Sequence, residues 1–474
     1  MNVKEVVLLS LFSAAGVLEA ASQRDVGSDN NETRVPQVQD KNGECEKSAK
    51  DRLLGEIIND ELKAEGIDSP FSLGGCLNFT SLYVSQDVKE GKDESESVLE
   101  GDIELKYCKK VAEYSFGAEL MVKACSGVVK EGKPIVRTSN LFLESDKIGT
   151  IKLGYTKTAG ELFSICHGKS LVGFCGPDSG NFNIFYNESA GSIVNTGFPH
   201  DDYRAAKVVY LSPDISGFTF GLSFTPDSRD VTLFKTQHKE PGKNDMSEEE
   251  ANRVGMRSAY SKNIITAGMA YEFGDKEGLN AKIAAAGWFG KGKSAVITKD
   301  GMPVKVHNVR AYHIGTTIAY KDFEMSLGYT DNGKSLLSKR YADDMVATFN
   351  EKEFEGIDEK TDFLHKHSEI GLRPGADAGK IYSIGMAYKF GKLAVSAGYF
   401  KSIVKFSDHE KAKADTVTLA AEYTVNKTMS VYAEYDNVST NTCDRARAYR
   451  AALKESPAGK NKANIYMIGT KINL

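Results

Sequence analysis

The sequence predicts an all-β fold: a transmembrane antiparallel β-barrel of about 16 strands, preceded by a short N-terminal helix. Three observations predict this class. From residue 71 onward, apolar and polar residues alternate with a period of two; many alternating segments run for about ten residues or more; and short turns alternate with long polar tracts. Alternation alone also fits a soluble sandwich, whose outer sheet faces meet water. The long strands and the unequal connections favour the barrel.

Composition narrows the class further. The chain has 474 residues, and its 60 Lys+Arg against 65 Asp+Glu give a formal net charge of -5. Binding along a phosphate backbone needs a positive excess, so the bulk charge excludes a basic nucleic-acid binder. The longest apolar run, Val6 to Leu18, is too short to cross about 30 Å of hydrocarbon as a helix. A helical membrane protein is therefore excluded, whereas barrel strands of alternating polarity fit the mean hydropathy of -0.35.

Residues 1–22 have the features of a signal peptide. Lys4 supplies a positive charge, an apolar run comes after it, and small residues stand at Ala20, Ala21 and Ser22. The alternative is an ordinary apolar N-terminal helix. Export would place the chain where disulfides form, and its seven cysteines, an odd number, would leave at least one thiol free or paired between chains.

Residues 23–70 are predicted to form a flexible tail and an amphipathic helix. The tail, residues 23–43, is polar and rich in Asn, Asp, Gln and Ser. The helix, within residues 44–66, is indicated by apolar residues at helical spacing and by Gly66 as a stop. These apolar residues are Leu53, Leu54, Ile57, Ile58 and Leu62. We expect the helix to serve in packing or as a coiled-coil seam.

Residues 71–474 are predicted to be the barrel. From Tyr382 to Phe390 every second residue is large and apolar, and the residues between them are small or charged. The sixteen segments with this pattern are 71–86, 101–110, 113–127, 136–145, 148–157, 204–212, 217–226, 255–273, 279–291, 305–320, 322–331, 379–391, 392–405, 413–424, 427–439 and 461–474. An even number of strands places the first and last residues of the barrel chain on the same, periplasmic side of the membrane. The tract 332–378 has room for one more hairpin, which would make eighteen strands.

A hairpin unit recurs in the second half of the chain. G-M-A-Y-E-F-G at Gly268 to Gly274 matches G-M-A-Y-K-F-G at Gly385 to Gly391, and each is succeeded by a strand ending in A-G-[WY]-F. The intervals between copies are irregular, so the repeat suits a meander of antiparallel strands rather than a solenoid. Aromatic residues gather near strand ends, as interfacial girdles do.

One stretch carries a family resemblance. Residues 201–227 contain a strand of the V-x-Y-x-S-P type, a short turn, and a second strand that begins with Gly-Phe. The matching residues are Val208, Tyr210, Ser212, Pro213, Gly217 and Phe218. This pattern resembles the general trimeric porins of Gram-negative outer membranes, as does Ile148 to Tyr155 upstream, and the resemblance covers roughly residues 71–474. The cysteines and the N-terminal part are similar to porin-like antigens of obligate intracellular α-proteobacteria.

The C-terminus resembles the family's outer-membrane assembly signal at Gly469, Ile472 and Leu474. The family usually ends on Phe, and this chain ends on Leu. The resemblance implies insertion into outer-membrane lipid by the barrel assembly machinery, assembly as a homotrimer, and location in the Gram-negative cell outer membrane.

The activity that the resemblance implies is a passive diffusion channel for ions and small hydrophilic solutes. It implies no enzymatic activity, no cofactor and no nucleic-acid partner. The alternative is an adhesin or structural surface antigen whose barrel displays the long extracellular loops 227–254, 332–378 and 440–460. Conductance separates the two hypotheses.

Strand parity assigns four lysines to the lumen, because a lysine on the lipid face would cost a few kcal/mol. Each is opposite in phase to its apolar neighbours: Lys106, Lys123, Lys152 and Lys207. The resemblance implies that the third extracellular loop, at about 158–203, folds inward and faces this basic wall with its acids, which are Glu161, Asp178, Glu188, Asp201 and Asp202. Facing charges would filter solutes by size and charge. The alternative is that they are solvated surface charges.

The same loop holds Cys166 and Cys175. A disulfide between them would close a small ring and stiffen an element that must keep its shape in the pore. The alternative is two free thiols at an unsuitable separation, because spacing alone does not settle the Cα geometry.

Two further motifs predict no chemistry of their own. G-W-F-G-K-G-K-S, from Gly287 to Ser294, matches the phosphate-binding loop pattern, but the residues after it, Ala295 to Pro303, have a strand-like rather than a helical pattern. We expect an extracellular loop tip there. His365 and His367 could share one strand face, yet no third ligand has suitable spacing, so no metal site is predicted.

Overall fold

The computed structural model describes residues 71–87, 95–126, 135–174, 205–228, 259–275, 278–294, 305–336, 377–405, 411–441 and 460–473. These residues form sixteen strands: β1 Phe71–Gln86, β2 Ser95–Val111, β3 Tyr114–Ser126, β4 Ile135–Ser145, β5 Gly149–Tyr155, β6 Ala206–Leu211, β7 Phe218–Asp227, β8 Ala259–Gly274, β9 Leu279–Ser294, β10 Val309–Tyr320, β11 Phe323–Asp331, β12 Asp377–Phe390, β13 Leu393–Lys405, β14 Lys411–Thr424, β15 Met429–Asn441 and β16 Lys460–Asn473. A short helix, α1 (Ala159–Leu162), and a 3₁₀ turn (His167–Ser170) come after β5.

The strands close into one antiparallel barrel, as predicted. Each strand pairs with its neighbours in sequence, and β16 pairs with β1. Because β11 pairs directly with β12, the tract between them adds no hairpin to the wall, and the barrel has sixteen strands rather than eighteen. The predicted bounds differ most at β2, which begins at Ser95, six residues before the predicted start at residue 101.

The structure does not describe the N-terminal part of the chain, for which several predictions were made. The predicted signal peptide, tail and N-terminal helix, all before residue 71, lie outside the described residues. Within the described residues, no helix has the length and apolar character needed to cross a membrane.

The two ends of the barrel differ in their connections. At one end the strands are joined by short turns such as Ala112–Glu113 and Lys321–Asp322, where Ala112 and Lys321 adopt positive φ angles of 54° and 53°. The connections at the other end are longer, reaching residues 156–205 between β5 and β6. The start of β1 and the end of β16 both lie at the short-turn end. Outer-membrane barrels have short periplasmic turns and longer extracellular loops, so the short-turn end is the periplasmic one.

The outer face of the barrel is apolar. Large exposed side chains such as Leu141 and Ile468 point away from the interior. Aromatic pairs gather near the short-turn end, for example Tyr388 and Phe390, whose ring centroids lie 4.5 Å apart. On β10, Tyr312 and Tyr320 are eight residues apart, which is about 27 Å along the strand. The outer face therefore presents an apolar band bounded by aromatic girdles.

The motif from Gly287 to Ser294 is part of a strand. It lies wholly within β9, and Gly287, Trp288 and Phe289 pair with β10. The prediction of an extracellular loop tip is wrong at this place. Lys293 and Ser294, where the helix of a phosphate-binding loop would begin, are strand residues that pair with β8.

Candidate functional site: the barrel interior

The chain leaves β5 and turns into the barrel. We call residues 156–174 the internal segment. It begins with α1, whose N-cap is Thr158: the Thr158 hydroxyl accepts the Glu161 N–H, and the Glu161 carboxylate accepts the Thr158 N–H in return. This reciprocal cap satisfies two N–H groups at the helix start. Glu161, predicted as a constriction acid, therefore has its carboxylate engaged in the cap.

Backbone N–H groups of the internal segment donate to inward side chains on several strands around the barrel. At its start the bonds are Ala159 N to Ser223 Oγ (3.2 Å), Gly160 N to Thr266 Oγ1 (3.2 Å) and Ile165 N to His313 Nε2 (3.0 Å). The acceptors stand on β7, β8 and β10. Because a buried N–H without a partner is costly, these polar strand residues fix where the segment can lie.

The far end of the segment reaches the opposite side of the barrel. Its bonds are Val172 N to Ser396 Oγ (3.1 Å), Gly173 N to Glu422 Oε2 (3.0 Å) and Phe174 N to Glu434 Oε2 (2.5 Å). These acceptors stand on β13, β14 and β15. The internal segment therefore runs along the inner wall from β6 to β15.

Glycines on the strands make room for the segment. A Cβ on Gly268 would lie 2.5 Å from the Phe163 ring, and one on Gly315 would lie 2.6 Å from the Ile165 carbonyl oxygen. The inward glycines that contact the segment in this way are Gly221, Gly268, Gly315, Gly328 and Gly398. We call the inward faces of β7 to β13 the covered wall, and these five glycines the glycine seat. The seat was missed at the sequence level, although the mid-strand glycines are visible there.

Apolar contacts hold both ends of the segment. Near the start, the single tryptophan, Trp288, is almost fully buried, and a Cβ on Gly160 would lie 2.5 Å from its ring. Near the far end, the Phe174 ring stacks on Tyr432 at 6.4 Å between centroids. Burial of these large rings adds apolar stabilisation to the backbone hydrogen bonds.

Lys207 joins the two roots of the inward loop. Its side chain is 0% exposed, and its ammonium donates to the carbonyls of Thr156 and Ala205, each at 2.7 Å. Thr156 stands directly after β5 and Ala205 directly before β6. Lys207 faces inward, as parity predicts, but its ammonium is covered by the backbone it binds.

The inward faces of β2 to β5, which we call the charged wall, carry the other three lysines. Lys152 Nζ lies 2.9 Å from Glu119 Oε2, and Lys106 Nζ lies 3.8 Å from Glu119 Oε1. Asn140 Nδ2 donates to the same carboxylate at 3.1 Å. The lysines remain in contact with solvent, with Lys106 38% and Lys152 23% exposed, whereas Glu119 is 13% exposed.

Lys123 has a different environment on the same wall. Its Nζ lies 3.4 Å from Glu100 Oε2, and the two side chains are only 8% and 14% exposed. The strand carboxylates that pair with these lysines were not singled out at the sequence level. The sequence could have predicted that such acids face the lumen, because Glu100 and Glu104 have the same strand parity as Lys106.

Some of the remaining predicted site residues lie within the described residues and others lie outside them. Asp178, Glu188, Asp201, Asp202, Cys175 and Leu474 lie outside the described residues. Cys166 is half-buried at the start of the 3₁₀ turn, so the Cys166–Cys175 disulfide stays a prediction. In β16, Gly469 faces inward, where a Cβ would lie 2.2 Å from the Tyr432 ring, and Ile472 is exposed on the outer face.

A closed sixteen-stranded barrel with an apolar outer face and a chain segment along its polar interior defines an outer-membrane channel. Residues 67–442 match the family model of the Gram-negative porin, and the chain belongs to that family. Its place is the cell outer membrane.

The chain also has uncharacterized relatives in Rickettsia and a solved structure of similar fold. An uncharacterized protein of Rickettsia bellii is 24% identical over 372 residues, which cover 70% of this chain and 75% of the relative. One from Rickettsia conorii is 21% identical over 456 residues, covering 85% and 93%. The structure of Salmonella typhi OmpF in complex with daunomycin is similar to this fold with a TM-score of 0.51, at 13% identity, over 85% of this chain and 98% of that chain.

Proposed function

We propose that the protein is a passive diffusion channel for ions and small hydrophilic solutes. The observation that carries this proposal is the solvent contact of the charged wall: Lys106 and Lys152 keep 38% and 23% of their side-chain surface exposed inside a closed barrel. A charged side chain is costly to bury away from water, so the exposed surface of these two lysines indicates that water reaches this wall. Water beside fixed charges of both signs offers ions a path.

The internal segment would narrow that path. It occupies the covered wall, so solutes would pass beside the charged wall and be filtered by size and by charge. The loop acids Asp178 and Glu188 belong to this proposal as further constriction residues, as does a ring closed by Cys166 and Cys175. Assembly as a homotrimer belongs to it as well, on the strength of family membership.

The test is planar-bilayer conductance of the refolded mature protein. Wild type is compared with Lys152→Glu, which reverses a charge on the charged wall. The matched control is Lys321→Glu, the same change at a short turn, where the Lys321 ammonium lies 5.3 Å from the centroid of the Tyr320 ring. We expect stepwise openings in all three and a shift of ion selectivity toward cations in Lys152→Glu alone.

Two outcomes would count against the proposal. Unchanged selectivity in Lys152→Glu would keep the channel and remove Lys152 from its conducting path. The absence of openings from a protein shown to be a folded barrel would refute the diffusion channel.

A surface adhesin or display antigen is the second candidate. It is favoured by the unequal ends of the barrel, because β11 and β12 are separated by residues 332–376 at the long-loop end, while β12 and β13 are joined by a two-residue turn. A folded barrel that binds host-type surfaces but passes no current would support this candidate.

A further inference from the structure

We propose that Glu119 determines the ion selectivity of the barrel interior, a step that rests on the proposed function. Its two carboxylate oxygens face two different ammonium groups: Oε2 faces Lys152 and Oε1 faces Lys106. One acid on β3 therefore interacts with two lysines, which come from β5 and β2, and partly cancels their charge.

Two hydrogen bonds to one oxygen hold the carboxylate of Glu119 in place. Asn140, on β4, donates to Oε2 at 3.1 Å, and Lys152 donates to the same oxygen at 2.9 Å. Hydrogen bonds to a charged acceptor are stronger than neutral ones, so this geometry fixes the position of the negative charge. Lys106 in turn is packed over the Phe142 ring at 5.0 Å.

Exposure ranks the members of the cluster by their contact with water. Lys106 and Lys152 are more exposed than Glu119, so the lumen meets the ammonium groups first and the carboxylate lies behind them. A passing anion would approach two ammonium groups whose charge Glu119 partly cancels. Glu119 thus limits the attraction of this wall for anions.

A second acid completes the balance. Glu104, on the same inward face of β2, interacts electrostatically with Lys106, Lys152 and Glu119. Two acids and two bases give this cluster a formal charge of zero. This cluster by itself therefore favours neither small anions nor small cations, and loss of either sign should shift the ion selectivity of the channel.

The nearby pair of Glu100 and Lys123 does not present an exposed ammonium group to the lumen. Lys123 is only 8% exposed, and the two groups lie 3.4 Å apart. A change of charge there would be felt less in the lumen, because the ammonium is not presented to water. This contrast distinguishes Glu119 from Glu100 on the charged wall.

The experiment measures the reversal potential of refolded channels across a KCl gradient at about 0.1 M. Glu119→Gln should raise the anion-to-cation permeability ratio about threefold, because a unit charge within about 4 Å in water changes the local ion concentration severalfold. Lys152→Gln should lower the ratio by a similar factor. The double variant Glu119→Gln/Lys152→Gln should return close to wild type.

The matched control is Glu113→Gln. Glu113 pairs with Lys147 at the short turns, and both side chains are well exposed, so the same charge is lost outside the interior. The control should leave the permeability ratio unchanged. At about 1 M salt the Glu119→Gln shift should shrink, because the Debye length falls from about 10 Å to about 3 Å.

The outcomes separate the two proposals. If wild type shows no openings, the diffusion channel fails. If wild type conducts but Glu119→Gln leaves the permeability ratio unchanged, the role of Glu119 is overturned. A purely structural role of Glu119 would give a different result. Glu119→Gln would then alter the conductance but not the permeability ratio, and Glu119→Asp would restore the wild-type conductance. Folding of each variant is checked by heat-modifiable gel mobility. If Glu119→Gln does not fold, the test rests on Lys106→Gln and Lys152→Gln, both of which should shift the ion selectivity toward cations. The absence of either shift refutes the proposal.

Discussion

The covered wall and the charged wall share one strand geometry but bear different side chains. On the covered wall many inward positions are small or hydroxylic, as at Gly268 on β8 and Ser396 on β13, beside the larger inward side chains of Trp288 and His313. On the charged wall they include Lys106, Glu119 and Lys152. One wall receives a chain segment, and the other faces water.

The difference shows how the inner face of a barrel can serve two purposes. A chain segment needs close approach and acceptors for its N–H groups, which glycine and small polar side chains supply. A water-filled path tolerates charges, because solvent and neighbouring ions of opposite sign stabilise them. Most strands meet only one of the two requirements, although at the far end of the segment the carboxylates of Glu422 and Glu434 accept its N–H groups.

The largest effect is expected at the root of the inward loop. Lys207→Met removes the donor for the carbonyls of Thr156 and Ala205 and leaves both acceptors buried. We expect the free energy of unfolding to fall by about 2–4 kcal/mol. Urea unfolding of the refolded barrel measures this loss.

The control for that variant is Lys109→Met, since Lys109 is exposed near the short-turn end of β2. It should change stability by no more than about 0.5 kcal/mol. Equal effects of both variants would contradict the clamp role of Lys207.

The next effect tests the glycine seat. Gly268→Val would force a Cβ to within 2.5 Å of the Phe163 ring, so the internal segment must shift. Overpacking of this kind costs about 1–3 kcal/mol. Single-channel recording should show altered conductance together with the lower unfolding free energy.

Gly74→Val is the matched change on β1, where a Cβ would meet no atom within 4 Å. Conductance and stability should stay near wild type there. If both glycines tolerate valine equally, the seat does not position the segment.

A smaller effect is expected from one anchor of the segment. His313 Nε2 accepts the Ile165 N–H at 3.0 Å, and its Nδ1 lies 2.9 Å from Thr330 Oγ1. His313→Leu leaves the Ile165 N–H without this acceptor and should cost about 1–2 kcal/mol. His313→Gln, which keeps an acceptor, should recover part of the loss in the same unfolding assay, and its failure to do so would assign the effect to packing alone.

The smallest effect compares two serines. Ser396→Ala removes the acceptor of the Val172 N–H on the covered wall and should cost about 1 kcal/mol. Ser72→Ala on β1 removes a long, exposed contact to the Lys106 carbonyl at 3.4 Å and should be close to neutral. Thermal midpoints of the two variants decide whether the anchors of the covered wall carry stability.

Much of the fold was predictable because it depends on local pattern. The period of two fixes which residues face in and which face out, and the turn residues fix where strands end. The number of strands and the inward phase of Lys106 and Lys152 result from that local pattern. The early start of β2 at Ser95 was missed, because the acidic stretch there alternates weakly.

Less of the site was predictable. The inward turn of the loop was implied by resemblance, but its course along β6 to β15 depends on contacts between residues such as Phe174 and Glu434, 260 positions apart. Glu119 and Glu100, which pair with the lysines from the strands, were not predicted, and the facing role of the loop acids stays a prediction. No local pattern encodes contacts across a barrel.

The sequence by itself determined the antiparallel barrel, its inside and its outside, since alternation is a property of neighbouring residues. Only the tertiary structure decided which inward residues meet water. Lys106 and Lys207 have the same side chain and the same inward phase, yet Lys106 is 38% exposed and Lys207 is 0% exposed. The physical reason is that the roots of the inward loop close over Lys207, while the internal segment lies along the other wall, away from Lys106.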